Sequence, residues 1–274
     1  MMFGRGAQLK TPAQVAVMRE AGLVVAHTLD GVRQAVAPGV TTGELDALAR
    51  DLIASQGATS NFLGYHGFPG VICASVSEEV VHGIPGSRVL RDGDIISIDC
   101  GAVVDGWHGD SAITVPVGDV DPAALALSEV TRGSMWAGIA ALKVGNRLGD
   151  IGHAVSSFVH EAGPYGVVEG FTGHGIGTEM HQEPDVPNVG RPGKGLRLVE
   201  GMVLAIEPMV SAGSPDTVTL DDDWTVVTAD GSWAAHWEHS CALTATGVWV
   251  LTAEDGGAAE LASLGVPFGG TLEA

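Results

Sequence analysis

A chain of 274 residues, 45% of them apolar, is long enough to bury the core of one large domain or two small ones. No run in it approaches the roughly 18 consecutive apolar residues of a membrane span. Its 13 basic and 33 acidic residues give a formal charge of −20, which opposes binding to nucleic-acid phosphates or anionic lipid. Three scattered cysteines, Cys73, Cys100 and Cys241, show no CxxC spacing and argue against both a disulfide framework and a thiolate zinc site.

The start, Met1-Met-Phe-Gly-Arg, lacks the basic-then-apolar layout of a secretory leader, so a cytoplasmic location is expected. Thr11-Pro12, with Gln14 in capping-box position, opens a helix expected over Pro12–Ala35. A second helical stretch follows Pro38-Gly39-Val-Thr-Thr-Gly43 and stops at Gly57, where a helix takes a C′ glycine. Residues 71–116 are strand-rich. Within them, two alternating apolar runs over 95–115 flank Asp105-Gly106, a hairpin signal. Folding about that turn sets Asp99 opposite Asp110, or one step diagonal from it, on the same face of the sheet. Like charges so placed repel, and a cation between them would offset the repulsion. Two solvated acids on an exposed hairpin fit poorly, because Asp99 directly follows the apolar run 95–98.

Asp121-Pro122 opens another helix over 122–142, and residues 144–163 can be laid on 38–57 at a constant offset of 106, with glycines, acids and apolar positions coinciding. Gly163 takes the place of Gly57 at the helix end. A second strand-rich segment, 166–251, follows. The expected organisation is one catalytic domain over 1–274. It comprises two ααβ-rich halves, about 11–117 and 118–252, and a short acidic, glycine-rich C-terminal tail, with the chemistry at the face the halves share.

The second half supplies more metal-ligand residues. His174 lies in Thr172-Gly-His-Gly-Ile-Gly177, whose glycines forbid a stable helix and let the backbone approach a ligand closely. Glu207 follows an apolar run and precedes Pro208, so it ends a buried strand. Residues 234–243 read as one strand, with His236, Glu238 and Ser240 on one face and Trp237, His239 and Cys241 on the other. His236 is then a neighbour of the ligands. His82, in Val80-Val-His-Gly-Ile-Pro85, and His181 stand on turns, whereas His27, His108, His153 and His160 read as ordinary surface or core histidines. No HExxH motif is present. Asp99, Asp110, His174, Glu207 and Glu238 together read as a two-metal hydrolytic centre, in which ions roughly 3.5–4 Å apart activate a shared water and polarise a carbonyl.

Tyr65-His-Gly-Phe-Pro69, Val81-His-Gly-Ile-Pro85, Ile98-Asp99, Gly109-Asp110, Gly173-His-Gly-Ile-Gly177, Ile206-Glu-Pro-Met209 and Glu238-His239 stand in one order and spacing across nearly the whole chain. In these motifs the chain resembles the type I methionine aminopeptidases of peptidase family M24. The segment between His181 and Glu207 leaves no room for the helical insertion of type II. The resemblance implies an α+β "pita-bread" fold, with a curved antiparallel sheet inside outer helices, and an enzyme that removes N-terminal methionine when the second residue is small. Asp110 and Glu238 would bridge two divalent ions, Co, Mn, Fe or Zn. His174 and Glu207 would complete the shell of one ion and Asp99 that of the other.

By the same resemblance His82 and His181 face the substrate, Glu207 accepts a proton, and Tyr65, Phe68, Cys73 and Trp224, with Met180 nearby, form the side-chain pocket. The implied partners are peptide and nascent-chain N-termini, with transient ribosome contact, for a monomer that binds neither nucleic acid nor membrane. Four positions depart from the usual pattern: Ser77 replaces a common Asn, Met180 an aromatic, His236 a Gln, and Phe62 a smaller residue expected near the entrance. An Xaa-Pro aminopeptidase or prolidase, and a non-catalytic binding protein on the same fold, are the alternatives. The latter is expected to have lost ligands.

Overall fold

The computed structural model describes residues 6–271. The opening residues 1–5, read above as lacking a leader layout, lie outside the described residues. The first half contains α1 (Pro12–Ala35), α2 (Thr42–Ser55), β1 (Thr59–Ser60), β2 (Ile72–Val76), β3 (Glu79–Val81), β4 (Ile95–Val104) and β5 (Trp107–Pro116). The second half repeats the order with α3 (Pro122–Ala141), α4 (Leu148–Ala162), β6 (Gly166–Val167), β7 (Gly173–Gly175), β8 (Gln182–Val186), β9 (Val203–Ile206) and β10 (Met209–Ser211). It continues with β11 (Thr217–Thr219), β12 (Val226–Thr228), β13 (Ala234–His236), β14 (His239–Leu243), β15 (Val248–Val250) and α5 (Ala258–Ser263).

Local chemistry sets the helix ends. Thr11 accepts from the Gln14 amide while the Gln14 side chain accepts from the Thr11 amide, and Thr41 and Glu44 repeat the device on α2. Asp121 caps α3 through the Ala123 amide. Gly57 is left-handed at φ 74°, as a C′ glycine should be. Gly163 is not: it is itself the cap, at φ 157° and ψ −168°, a positive-φ conformation far from the left-handed helical region. The two helix ends therefore differ although their sequences overlay.

Every strand pair is antiparallel, and β4 and β5 form the longest ladder, closed by Asp105 and Gly106 at φ 48° and 78°. Such a turn has the twist that a two-residue hairpin requires. One apolar cluster, from Val24 to Val117, belongs wholly to the first half, and a second, from Met135 to Leu261, to the second. Smaller clusters join them, including one in which Val15 and Met18 of α1 meet Ile176, Val203 and Leu251.

Two expectations need correction. Residues 234–243 are not one strand: the ladder breaks at Trp237-Glu238, so β13 pairs with β10 while β14 pairs with β9. The segment expected as a short acidic, glycine-rich tail is structured over 253–271. It carries α5, whose Leu261 is fully buried in the second-half cluster, and Phe268 bridges to Val248 beside β15.

Helix α1 holds the halves together. A Cβ on Gly109 would stand 2.9 Å from the Gly22 backbone nitrogen, and one on Gly22 would collide with the Leu251 carbonyl. Only hydrogens at these positions let α1 lie against both the hairpin and the second half, where Arg19 also donates to the Leu251 and Glu254 carbonyls at 2.7 Å. Gly22→Ala should therefore lower the melting temperature. The overpacking cost of about 1–3 kcal/mol exceeds the roughly 1 kcal/mol of helix propensity that alanine adds. Thermal unfolding of wild type and variant checks this, and a higher melting point for the variant would show that α1 can shift freely.

Candidate metal centre

Register places the first carboxylates. Asp99 pairs with Ala112 and Gly101 with Asp110, so Asp99 and Asp110 are diagonal neighbours on one face of the hairpin, as the turn signal implied. The Glu238 amide donates to the Ala112 carbonyl at 2.9 Å. Asp99, Ala112 and Glu238 thus stand in one row across the sheet, and the small Ala112 methyl leaves the space among the acids open. Ser240 fixes the backbone of Asp110: its hydroxyl accepts from the Asp110 amide at 3.2 Å and donates to the Asp110 carbonyl at 2.8 Å.

Two of the second-half candidates, Glu207 and Glu238, sit where strands are interrupted. Ile206 pairs with His239 and Met209 with His236, leaving Glu207-Pro208 opposite Trp237-Glu238 in the gap between the β9–β14 and β10–β13 ladders. A carboxylate at a break is turned out of the alternation that a continuous strand would impose. His174 lies in the middle of β7. Side chains on Gly173 and Gly175 would strike the carbonyls of Ala205 and Glu183, so these glycines let β7 approach β9 and β8 rather than a ligand, which corrects the earlier expectation.

These elements bring ligand atoms of Asp110, His174 and Glu238 within 4.8 Å of one another. His174 Nε2 is 3.5 Å from Glu207 Oε1, and His236 Nε2 is 3.9 Å from Glu207 Oε2. His174 Nδ1 lies 3.1 Å from the Gly175 carbonyl. A carbonyl only accepts, so Nδ1 carries the hydrogen and the Nε2 lone pair faces the acids.

Asp99 Oδ1, Asp110 Oδ1 and Glu238 Oε1 are buried without a hydrogen-bond donor. Among the described residues, no lysine or arginine lines the cavity they face. Burial pushes the Asp99 carboxyl up to about 7, with a hydrogen bond to Asp110 acting in the opposite sense. Burial, then the neighbouring carboxylates, push Asp110, Glu207 and Glu238 well above the ordinary range. The histidines bring no compensating charge: burial lowers His174 and His236 to about 3. Orphaned acceptor oxygens grouped with an imidazole nitrogen fit a divalent cation in both charge and donor chemistry.

The acids floor a cavity of about 170 Å³ whose other wall is formed by Phe62, Tyr65, Phe68, Cys73, Met180 and Trp224. His82 and His181 line the same cavity, whereas His27, His108, His153 and His160 do not. Phe62 is only 6% exposed and stands edge-on to Phe68 at 6.5 Å, so it is part of the wall and not of the entrance. Met180 is buried in that wall too. Ser77, where Asn is usual, holds φ 57°, a left-handed backbone that asparagine adopts more readily than serine. Sequence reasoning missed Phe171, whose ring meets His82 edge-on at 5.5 Å, together with Thr172, Val81 and Met209 in the lining. Phe171 and Thr172 immediately precede the glycine-rich His174 loop, which was their one signal. The contact of His181 Nδ1 with the Tyr65 hydroxyl, at 2.9 Å, had no signal at all.

The sequence matches the profile of metallopeptidase family M24 over residues 16–245. It is 53% identical over 249 residues to methionine aminopeptidase 1 of Mycobacterium tuberculosis, covering 89% of this chain and 94% of that one. Against methionine aminopeptidase 1 of Bacillus subtilis it is 52% identical over 243 residues, covering 89% and 98% of the two chains. A solved methionine aminopeptidase from Rickettsia prowazekii superposes with a TM-score of 0.88 at 41% identity, over 90% of this chain and all of that one. An Xaa-Pro dipeptidase from Bacillus anthracis, at 22% identity and a TM-score of 0.70 over 89% of this chain and 61% of its own, shares the fold.

Raised carboxyl pKa values fix a sign. In the metal-free protein these acids hold protons that the unfolded chain has already released above about pH 4. Their contribution to stability is therefore present at low pH and lost as pH rises through the folded values, about 7 for Asp99. The depressed histidines act oppositely, but only below their unfolded value of about 6.5. Between pH 7 and 8 the carboxyls dominate. The chelated protein should melt lower at pH 8 than at pH 7, and the gain from added Mn²⁺ should be larger at pH 8, by about 1.4 kcal/mol for each proton that binding releases. Melting curves at the two pH values decide it. Equal gains would show that the acids are already ionised without the ion.

Proposed function

This chain belongs to metallopeptidase family M24, and from that premise we propose that it removes the N-terminal methionine of peptides and nascent proteins when the second residue is small. One observation carries the reading: an acid-rich ligand cluster and a sulfur- and aromatic-lined wall face each other across a single small cavity. Methionine suits such a wall, being unbranched and able to make sulfur–aromatic contacts. The acids favour the free α-ammonium that only a chain terminus offers, which makes the enzyme an exopeptidase.

Asp99, Asp110, His174, Glu207 and Glu238 would hold two divalent ions, and Fe, Mn, Co and Zn all accept such a shell. When bound, the ions lower the pKa of water and polarise the scissile carbonyl. Glu207 takes the water's proton on its carboxylate. The Glu207 oxygens lie 3.5 and 3.9 Å from His174 and His236, which limits its freedom to turn. His181 and His82 give hydrogen bonds as negative charge grows on the carbonyl oxygen and as the leaving nitrogen separates. Burial lowers both, His82 to about 4, so at neutral pH they act as neutral N–H donors. The backbone strain of His82, at φ 60°, is consistent with a side chain held in position by its surroundings.

Cytoplasmic action as a monomer, with transient contact at the ribosome, belongs to the same proposal. No helix among the described residues is long and apolar enough to cross a membrane. The charge of −20 favours basic protein surfaces over RNA for any such contact.

The loops carrying His82, Thr172 and His181 line the cavity beside the acids, and on this reading they limit the size of the second residue, so Met-Ala-Ser should be cleaved far faster than Met-Lys-Ser. Equal turnover would sink the small-residue requirement, and a preference for Xaa-Pro peptides would favour a prolidase-type activity. His181→Ala should lower kcat by roughly 10²-fold or more while bound metal, measured by atomic emission, stays at the wild-type level. Loss of metal along with activity would make His181 a ligand instead.

A further inference from the structure

The proposed reaction requires His181 to present one particular N–H, yet this residue, although its ring is partly desolvated, keeps access to solvent on a loop just before β8. A neutral imidazole carries its hydrogen on either nitrogen, and solvent exposure leaves that choice open unless a neighbour makes it. The neighbour at Nδ1 is the Tyr65 hydroxyl, 2.9 Å away and contributed by the opposite half of the fold. Tyr65 is itself held. Its amide donates to the Phe62 carbonyl at 2.9 Å, the Phe68 amide donates to its carbonyl at 2.9 Å, and the ring of His66, which holds φ 46°, stands edge-on to its phenol at 4.4 Å.

A phenol is a better donor than acceptor. Burial raises the Tyr65 pKa further, so the hydroxyl keeps its hydrogen. If Tyr65 donates to Nδ1, the imidazole hydrogen must sit on Nε2.

We propose that Tyr65 is a positioning residue: its hydroxyl donates to Nδ1 of His181, holding that ring in the Nε2–H tautomer so that Nε2–H is the hydrogen-bond donor used in the reaction. This rests on the role given to His181 above and assigns Tyr65 a task beyond forming one side of the apolar wall. His181 then depends on a contact across the seam between the halves, so the donor is in place only when both loops are.

Tyr65→Phe keeps the ring and removes only the hydroxyl. With Met-Ala-Ser as substrate and metal-loaded enzyme, kcat should fall by about 10-fold, the size of one lost hydrogen bond, with KM, metal content and melting temperature near wild type. Combining Tyr65→Phe with His181→Ala should cost no more than His181→Ala alone, because the hydroxyl acts only through that ring. Nitrogen NMR of histidine-labelled protein should report a single Nε2–H tautomer for His181 in wild type and a mixture in Tyr65→Phe. Should His181→Ala keep full activity, the role of His181 itself fails. Should His181→Ala lose activity while Tyr65→Phe does not, or should the two losses multiply, the Tyr65 proposal alone is overturned. If Tyr65→Phe melts lower than wild type, the tautomer measured at a temperature where both are folded still decides: an unchanged Nε2–H signal overturns the proposal.

Discussion

Four carboxylates converge in this protein with no lysine or arginine among the described residues that line their cavity, and much of the structure serves to make that convergence tolerable. In a low-dielectric cavity, like charges at these separations repel far more strongly than in water. Asp99 and Asp110 share a hairpin face, while Glu207 and Glu238 enter at two strand interruptions facing one another. Each interruption forfeits ladder hydrogen bonds. The loss is offset locally: Glu238 recovers a pairing with Ala112, and the Trp237 amide reaches the Pro208 carbonyl.

The surrounding histidines sharpen the requirement. Burial holds His82, His174 and His236 in their neutral forms around neutral pH, so none of them balances the acids. Positive charge must then come from protons on the carboxyls or from a bound cation, and the two compete for the same oxygens. Neutral imidazoles retain directed N–H and lone-pair positions, which suits them to ligand and hydrogen-bond roles.

How much of this was readable depends on the range of the interaction concerned. The helix starts were legible because Thr11, Gln14 and Asp121 act within one turn. The Asp99–Asp110 relation was legible because Asp105-Gly106 fixes the hairpin register, and register fixes which side chains share a face. The candidate ligand set was proposed from residue type and spacing, and its roles from family likeness. The break at Trp237-Glu238 was not legible. Alternation along 234–243 is a local pattern, whereas the break follows from pairing with two different partners and with Ala112. The same limit hid the close approach of β7 to its neighbours, the docking of α5, the buried place of Phe62 and the contact from Tyr65 to His181, each of which joins residues far apart along the chain.

The seam between the two apolar clusters has a kinetic consequence. The proposed ligands run from Asp99 to Glu238, more than half the chain, and each half can assemble its own cluster before the two are joined. Closing so long a loop is among the later events of folding, since its entropy must be met before the contacts repay it. Ions bound across the seam would therefore act as a clasp rather than a seed. They would leave the rate of folding nearly unchanged and slow the rate at which the halves part, so the lifetime of the folded enzyme would depend on the cation it carries.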